Sequence, residues 1–586
     1  MGSVVYQYGA PPLPFGAIDH VVPFAFPLYE GLDPLDLGAH EGKGLLLVAS
    51  PFDPSIVTVT PGPPYPFGTV DAPTALVFAT EGATSTFYPA ATHGRSTAPD
   101  DTPASTWVPG KLTGEVNIDL SLISGADPTR PGDGTAGVLE LLDPDGELDG
   151  LLDKVWDGAA IELRRGDPQA AFYTWTPVAK LTASGLLAGL RNKELRLRDL
   201  GWKLATAELH GQRYGGTGGL DGDANVAVGR LKPYAAGHVF NITPVPINAA
   251  LLIWQVSFSS VSAISAVRDG GVALSAGADY PTYAGLAAAT VAGGAYATCR
   301  ALGLLRLGSS PARDVTADVQ GDADIYESQA GPKTRGRIVR RIATALGTVR
   351  FSDSEQIDFS AFQQFESRQP GPVGWYWDGS QSVTKADALN EVLAGCLGYW
   401  LVRPNGQLSI GQVEDPGDGG PTLLLSWPAP DAGESRLGEP QMTDDLPPRR
   451  ATFIGWRRNY TIQARSVLAG SVTDADAQLY SQPSRYAAIE DVWLANNYPS
   501  SPAVILAGGY RDEADAAAEA VRQARLLSVP RRRWTVPVAS MDPLADVVGQ
   551  KARFDNLGRL GWGASKSLLV CGFGAAGGSV NLQLWG

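Results

Sequence analysis

Two stretches of this 586-residue sequence space their acids in the manner of a calcium loop. In LLDPDGELDGLLDKVWDG, residues 141–158, a loop counted from Asp145 sets Glu147 and Asp149 at ligand positions and Gly150 at the sixth. Its twelfth residue is Trp156, where a bidentate Glu is required. Counted from Asp221, the trio Asp221, Asp223 and Asn225 has Val226 at the sixth position and Lys232 at the twelfth, so both the Gly and the Glu are missing. Turn-forming acids are the better reading of both. The segment GAHEGKG, 38–44, is one residue short of a phosphate loop and carries Gly44 where Ser or Thr would meet magnesium.

Catalytic spacings are equally incomplete. His20, His40, His93, His210 and His238 stand apart, and neither H-E-x-x-H nor G-x-S-x-G occurs. Pairs such as Glu140 with Asp149 or Glu355 with Asp358 are expected among 61 acidic residues, and an acid/base pair needs a spatial separation that sequence spacing does not supply. Cys299, Cys396 and Cys571 lie about a hundred residues or more apart in apolar surroundings, as buried free thiols would. No enzymatic activity, cofactor or metal is expected.

Two kinds of cluster remain. The run KTRGRIVRR, 333–341, brings Arg335, Arg337, Arg340 and Arg341 together as a candidate lumen or interface patch, able to meet passing DNA or the acids of a neighbouring subunit; PRRRW, 530–534, is a second basic run. Trp375, Tyr376 and Trp377, in PVGWYWDG, form a candidate exposed aromatic cluster of the kind that stacks on sugars.

The elements that must carry these residues are mostly strands. The 69 Gly and 44 Pro, without a three-residue period, fit short strands joined by turns, and the length calls for several domains. Residues 1–110 read as a Pro/Gly-rich arm or peripheral domain, with strand-like runs at 44–50 and 74–80. Alternation from Lys111, with further strands at 137–142, 159–164, 171–175 and 186–197, predicts a first barrel-like domain over 111–210. A β-rich domain follows over 226–325, with Asp269-Gly270-Gly271 as a hairpin turn.

Helical period then appears. Ile338, Ile342 and Leu346 share a face that starts near Thr334 and stops at Gly347, and Thr384 with Asp387 forms a capping box ahead of Leu389, Val392, Leu393 and Cys396. Tyr399–Val402 and Gln407–Ile410 flank Asn405-Gly406 as a hairpin, which completes a helix-hairpin domain over 326–439. Over 440–586 a second barrel-like domain is expected, with strands near 532–539, 551–554, 566–573 and 579–585. It holds a helix, 511–527, whose Ala514, Ala517, Val521 and Ala524 form an apolar stripe, with Glu513, Glu519, Arg522 and Arg525 outside it. The fold class is therefore mainly β with some helices, multidomain, with two barrel-like β-domains plus helix-hairpin insert domains.

With 61 acidic against 46 basic residues, the net charge of −15 disfavours general binding to a phosphate backbone. The first residues lack the cationic and apolar regions of a secretory signal, and no apolar run reaches membrane-spanning length, so synthesis in the cytoplasm is expected.

Several blocks, taken in order, carry a resemblance: WDGAAIELRRG (156–166), PVPINAALLIWQVSFSSVSAISAVRDGGVALSAGADY (244–280), GGAYATCRALGLLRLGSSPARDVTADVQGD (293–322), ADALNEVLAGCLGYWLVRPNGQLSIG (386–411), MDPLADVVGQKARFDNLGRLGWG (541–563) and VNLQLWG (580–586). Over about 110–586 the sequence resembles the baseplate hub or tail-tip proteins of long-tailed siphophages and of gene-transfer-agent particles. The resemblance implies a virion protein forming a homotrimer, whose two barrel-like domains per subunit give pseudo-sixfold symmetry around a lumen. Partners implied are a distal tail protein above, tail-tip or receptor-binding proteins below, tape-measure protein inside, and DNA crossing without sequence-specific binding. Two alternatives stand beside it, a carbohydrate-binding or wall-degrading tail protein and a hexameric distal tail adaptor.

Overall fold

In the computed structural model the described residues are 6–7, 44–52, 88–91 and 94–586, except 102–103, 130–135, 167–173, 225, 227, 325–332, 419, 421, 427–436, 540–545, 556, 563–564 and 577–578. The segments 38–43 and 74–80, Asn225, and His20, His40 and His93 lie outside them.

Alternation sets the main sheet. Along Asn192–Arg198 the residues Lys193, Leu195 and Leu197 are buried while Glu194 and Arg196 face out, a period of two that only a strand with one covered face satisfies. Ten such strands are β1 (Leu112–Ser121), β2 (Ala136–Leu142), β3 (Val155–Gly166), β4 (Thr176–Ala188), β5 (Asn192–Arg198), β6 (Gln441–Leu446), β7 (Arg531–Ala539), β8 (Lys551–Asp555), β9 (Ser565–Ala576) and β10 (Ser579–Trp585). All belong to one 13-stranded sheet. The first five take the order β1-β2-β5-β4-β3, and the second five repeat it as β6-β7-β10-β9-β8. In place of two separate barrels, the chain builds two halves of one continuous sheet over a shared core that includes Leu139, Leu163, Leu195, Val536, Phe554 and Leu582.

The run 186–197, read from sequence as one strand, is the β4–β5 hairpin. Its turn at Gly189–Arg191 exposes Leu190, whose place in the alternation imitates a strand residue. On the outer side of β3, Gly44–Phe52 pairs antiparallel and Tyr88–Ala91 follows it, so part of the N-terminal segment extends the first half.

Two further five-stranded sheets are built from strands between Tyr234 and Trp377. The Asp269-Gly270-Gly271 turn closes a hairpin there, with both glycines at positive φ. Helix α1 (Arg335–Thr344) starts at Thr334, whose side chain accepts from the Arg337 N–H, and buries Ile338, Val339 and Ile342. Helix α2 (Lys385–Ala394) begins in the Thr384–Asp387 capping box and buries Leu389, Val392 and Leu393. The hairpin after it pairs Gly398–Val402 with Leu408–Gln412. Its turn differs from a two-residue Asn-Gly turn: only Gly406 has positive φ, and the Gly406 N–H returns to the Arg403 carbonyl.

Between β6 and β7 the chain inserts another sheet, Ala451–Trp456 flanked by Arg485–Glu490 and Ala503–Tyr510. Helix α3 (Glu513–Leu527) covers it, but through Ala516, Ala520, Gln523 and Leu527. Of the stripe Ala514, Ala517, Val521 and Ala524, Ala514 and Val521 are exposed, while Ala517 packs against the core from its rim and Ala524 is half-buried. Small residues surround this helix on all sides, so side-chain size does not mark its inner face, and Glu519 is buried because Gln369, Arg522 and Gln523 all donate to its carboxylate.

Candidate assembly interface

The equivalence of the two halves extends to their irregularities. The β4–β5 ladder skips one residue at Ser184, between Leu197↔Ala183 and Arg196↔Gly185, and the β9–β10 ladder skips one at Cys571, between Leu584↔Val570 and Gln583↔Gly572. Each bulge is followed by a glycine. In each half the adjoining strand leaves the ladder at a glycine of positive φ, Gly158 within β3 and Gly549 just before β8. The β3–β4 ladder ends at Ala160↔Thr182, and the β8–β9 ladder ends correspondingly at Lys551↔Leu569.

Beyond that point β9 takes a new neighbour. Gly572, Phe573, Gly574 and Ala575 pair antiparallel with Ser121, Leu120, Asp119 and Ile118 of β1, and this junction joins the halves. Phe573 and Leu120 pack into the core beneath it. Glycine is required at 572, since a Cβ there would lie 2.3 Å from the Leu120 carbonyl oxygen and 3.0 Å from the Ser121 Cα. Arg533 of β7 fastens the outer face, donating to Ser121 Oγ at 3.0 Å, to the Gly125 carbonyl at 3.3 Å and to the Gln583 side chain. The Trp585 indole N–H donates to the Ala126 carbonyl at 2.7 Å, which ties the last strand to the loop after β1.

The same geometry leaves two edges open. Past Thr182 no described strand pairs with the side of β4 that faces away from β5, and no described strand pairs with the outer side of β6. Gln441 to Asp445 are all exposed along β6, with Met442 54% exposed. Around the β4–β5 tip, Leu142, Leu187 and Leu190 are exposed as well. Open, long edges of this kind are places where another strand adds.

The basic run of α1 is used inside the chain. Arg335 is buried, donates to the carbonyls of Val392 and Gly508, and stacks 4.4 Å from the Tyr510 ring centre. Arg337 pairs with Glu366 at 3.5 Å, Arg340 grips Asp353 through two bonds of 2.6 Å, and Arg341 meets the fully buried Asp322 at 3.0 Å. Arg335 points away from the other three, which at i, i+3 and i+4 share one partly exposed helix face and each pair with an acid of the same chain. In the second run, Arg531 pairs with Asp415 at 2.7 Å while Arg533 holds the junction described above.

The aromatic cluster is likewise internal, which corrects its reading as exposed. Trp375 and Tyr376 are 3% and 7% exposed and Trp377 is half-buried, because Gly374–Trp377 is a strand paired with Tyr234–Gly237. The Trp375 indole N–H donates to Glu391 at 2.7 Å, and the Tyr376 hydroxyl donates to the Thr243 carbonyl at 3.1 Å.

Lysines occupy the place a cation would take in the acidic loop. Lys111 bridges Asp145 and Glu147 at 3.1 Å each, and Lys193 lies 2.9 Å from Asp143 and 2.8 Å from Asp149. Burial acts to raise the Asp143 carboxyl, but the Lys193 ammonium and the Leu148 N–H together bring it below its ordinary value. Asp221 accepts from Thr217 and Gly215 as a turn residue. Among the described residues no group of three His, Cys, Asp or Glu is placed to hold a metal ion, and no helix is long and apolar enough to cross a membrane. Burial lowers His210 to about 4 and raises the thiols of Cys396 and Cys571 to about 11 and about 12. Glu140 accepts from Asn192, and Asp358 caps the helix Phe359–Arg368.

Sequence spacing marks neither Gly185 nor Gly572 nor Asp444, whose carboxylate accepts the Ala126 N–H at 2.7 Å beside the junction, and marks Arg533 only as part of the run 530–534. The available signal was the repeated pattern of a strand, a bulge and a glycine in 176–198 and 565–585, which residue types alone disguise.

No protein-family model matches the chain, and no curated protein matches it in sequence. Its fold is similar to that of a tail protein from Neisseria meningitidis MC58, at 10% identity and a TM-score of 0.35 over 80% of this chain and 91% of that one. It is also similar to the 43 kDa tail protein of prophage MuSo2 from Shewanella oneidensis, at 8% identity and a TM-score of 0.31 over 82% and 96%. A chain in the virion of a native gene transfer agent particle matches at 12% identity and a TM-score of 0.33 over 62% and 85%.

Proposed function

We propose that this chain is a structural, non-enzymatic hub of a tailed-phage tail tip, located in the virion. Three copies close the distal end of the tail tube around a lumen that admits tape-measure protein and DNA, and they anchor tail-tip or receptor-binding proteins below. The observation that carries this reading is the internal repeat: one chain supplies two wall segments of the same strand order, already joined side by side. Three copies then supply six equivalent segments, which reconciles a threefold tip with a sixfold tube. Each half acts as one barrel-like unit of that wall.

The net charge of −15 supports a lumen in which DNA slides without being held, since an acidic surface repels phosphate. A sugar-stacking role loses its motive with Trp375 and Tyr376 buried. Electron-microscope projections of tail tips carrying a labelled copy of this chain test the reading. Three labels at the distal end of the tube are expected; six labels would favour a distal adaptor, and labels on peripheral fibres would refute a hub.

A further inference from the structure

The junction within the chain is a template for a junction between chains. Superposing the halves by their bulges makes Gly185 equivalent to Gly572, Leu186 to Phe573 and Leu187 to Gly574. On the other side, β1 pairs Asp119 with Ala136 and β6 pairs Asp444 with Arg533, which makes Leu446 equivalent to Ser121, Asp445 to Leu120 and Asp444 to Asp119. Inside the chain one member of each set meets one member of the other. The remaining members, on β4 and β6, are the two open edges.

We propose that the free edge of β4 at Gly185–Ala188 pairs antiparallel with β6 of a second copy of this chain, setting Gly185 opposite Leu446, Leu186 opposite Asp445 and Leu187 opposite Asp444. The contact runs head to tail, each copy giving β4 to one neighbour and β6 to the other, so a closed ring leaves neither edge bare. It deepens the hub reading and rests on it only in requiring that copies associate.

Three observations support the register. A Cβ at Gly185 would meet nothing within 4 Å, whereas its counterpart Gly572 is forced by the backbone of β1. A glycine in the middle of a strand weakens it, so its presence at 185 fits a backbone that comes close only when the neighbour is present. Second, Arg196 is exposed and, among the described residues, makes no ion pair. It stands opposite Gly185, as Gln583 stands opposite Gly572, and the Gln583 side chain lies over the bare glycine, where its oxygen accepts from Arg533. Lying over Gly185 in the same way, Arg196 shares a face with the Asp444 carboxylate of β6, which within its own chain accepts the Ala126 N–H at 2.7 Å. Third, Leu187, Ala188, Asp444 and Asp445 are exposed along the two edges, while Gly185 and Leu186 are half-buried and Leu446 is buried.

The test uses the full chain. Leu187→Cys and Asp444→Cys chains are purified separately, mixed in equal amounts and oxidised, since directly paired strand residues bring Cα atoms within disulfide range, about 4.5–5.5 Å. The mixture is expected to give covalent dimers and nothing larger, the double variant to give larger covalent rings, and each single variant alone to stay monomeric on a denaturing gel. Gly185→Val, which has room in the isolated chain and suits a strand, is expected to melt like the parent yet lose its multimers by native mass measurement. Multimers without the 187–444 bond, or Gly185→Val multimers as abundant as the parent's, would overturn this pairing and leave the hub reading intact. A parent chain that stays monomeric would sink both.

Discussion

Replacement of Arg335 by methionine tests how the helical part of the molecule is held. The guanidinium is 2% exposed and joins three elements: it caps the Val392 carbonyl near the end of α2, the Gly508 carbonyl in the inserted sheet, and the face of Tyr510. Methionine keeps most of the stem volume and removes both donors. Each buried carbonyl left without a partner costs about 1–3 kcal/mol, and the lost stacking adds about 1–2 kcal/mol. Removing a buried charge returns part of this, which leaves a net loss of about 3–5 kcal/mol. Hydrogen exchange measured by mass spectrometry should show protection of 335–344, 385–394 and 503–510 falling together by roughly two to four orders of magnitude, with β1–β5 unchanged. Arg335→Lys should recover only part, since an ammonium neither spans two carbonyls in a fork nor stacks as a plane. A loss under fivefold, or one confined to α1, would refute the three-way tie.

Three other outcomes are expected. His210, buried against Phe258 with ring centres 4.1 Å apart, takes its proton near 4 when folded and near 6.5 when unfolded, so the unfolded chain holds more protons between those values and stability falls as pH falls through them. The drop from 6.5 to about 4 corresponds to about 3 kcal/mol, and thermal melts at pH 7 and pH 4.5 should show the acid penalty shrink in His210→Gln. Lys193→Met should destabilise strongly by stranding the buried Asp143 carboxylate, and adding Asp143→Leu should restore much of the loss in the same melts. Gly572→Val should disrupt the β1–β9 junction and lower the yield of folded protein, while Gly185→Val leaves it unchanged, as limited proteolysis between the halves would report.

Local periodicity made much of the fold legible. The last four strands fall within a few residues of where alternation set them, and the Thr334 and Thr384 helix starts carry the caps their residue types imply. What sequence spacing missed depends on partners far along the chain. The β4–β5 hairpin was hidden because Leu190 keeps the alternation through a turn, and α3 turned another face inward because its small residues give little contrast. Clustered arginines and aromatics suggested a surface, yet partners 13 or more positions along the chain engage the arginines, and a strand pairing buries Trp375 and Tyr376. The junction residues were invisible for the same reason: Gly572 and Ser121 stand 451 positions apart, and only the register joins them.

Native mass measurement of the purified full chain at micromolar concentration tests the central claim most directly. Three copies in one closed species, unchanged on dilution across a tenfold range, are predicted. A monomer, or an open series of masses without a preferred size, would contradict a hub built from two joined wall segments per chain.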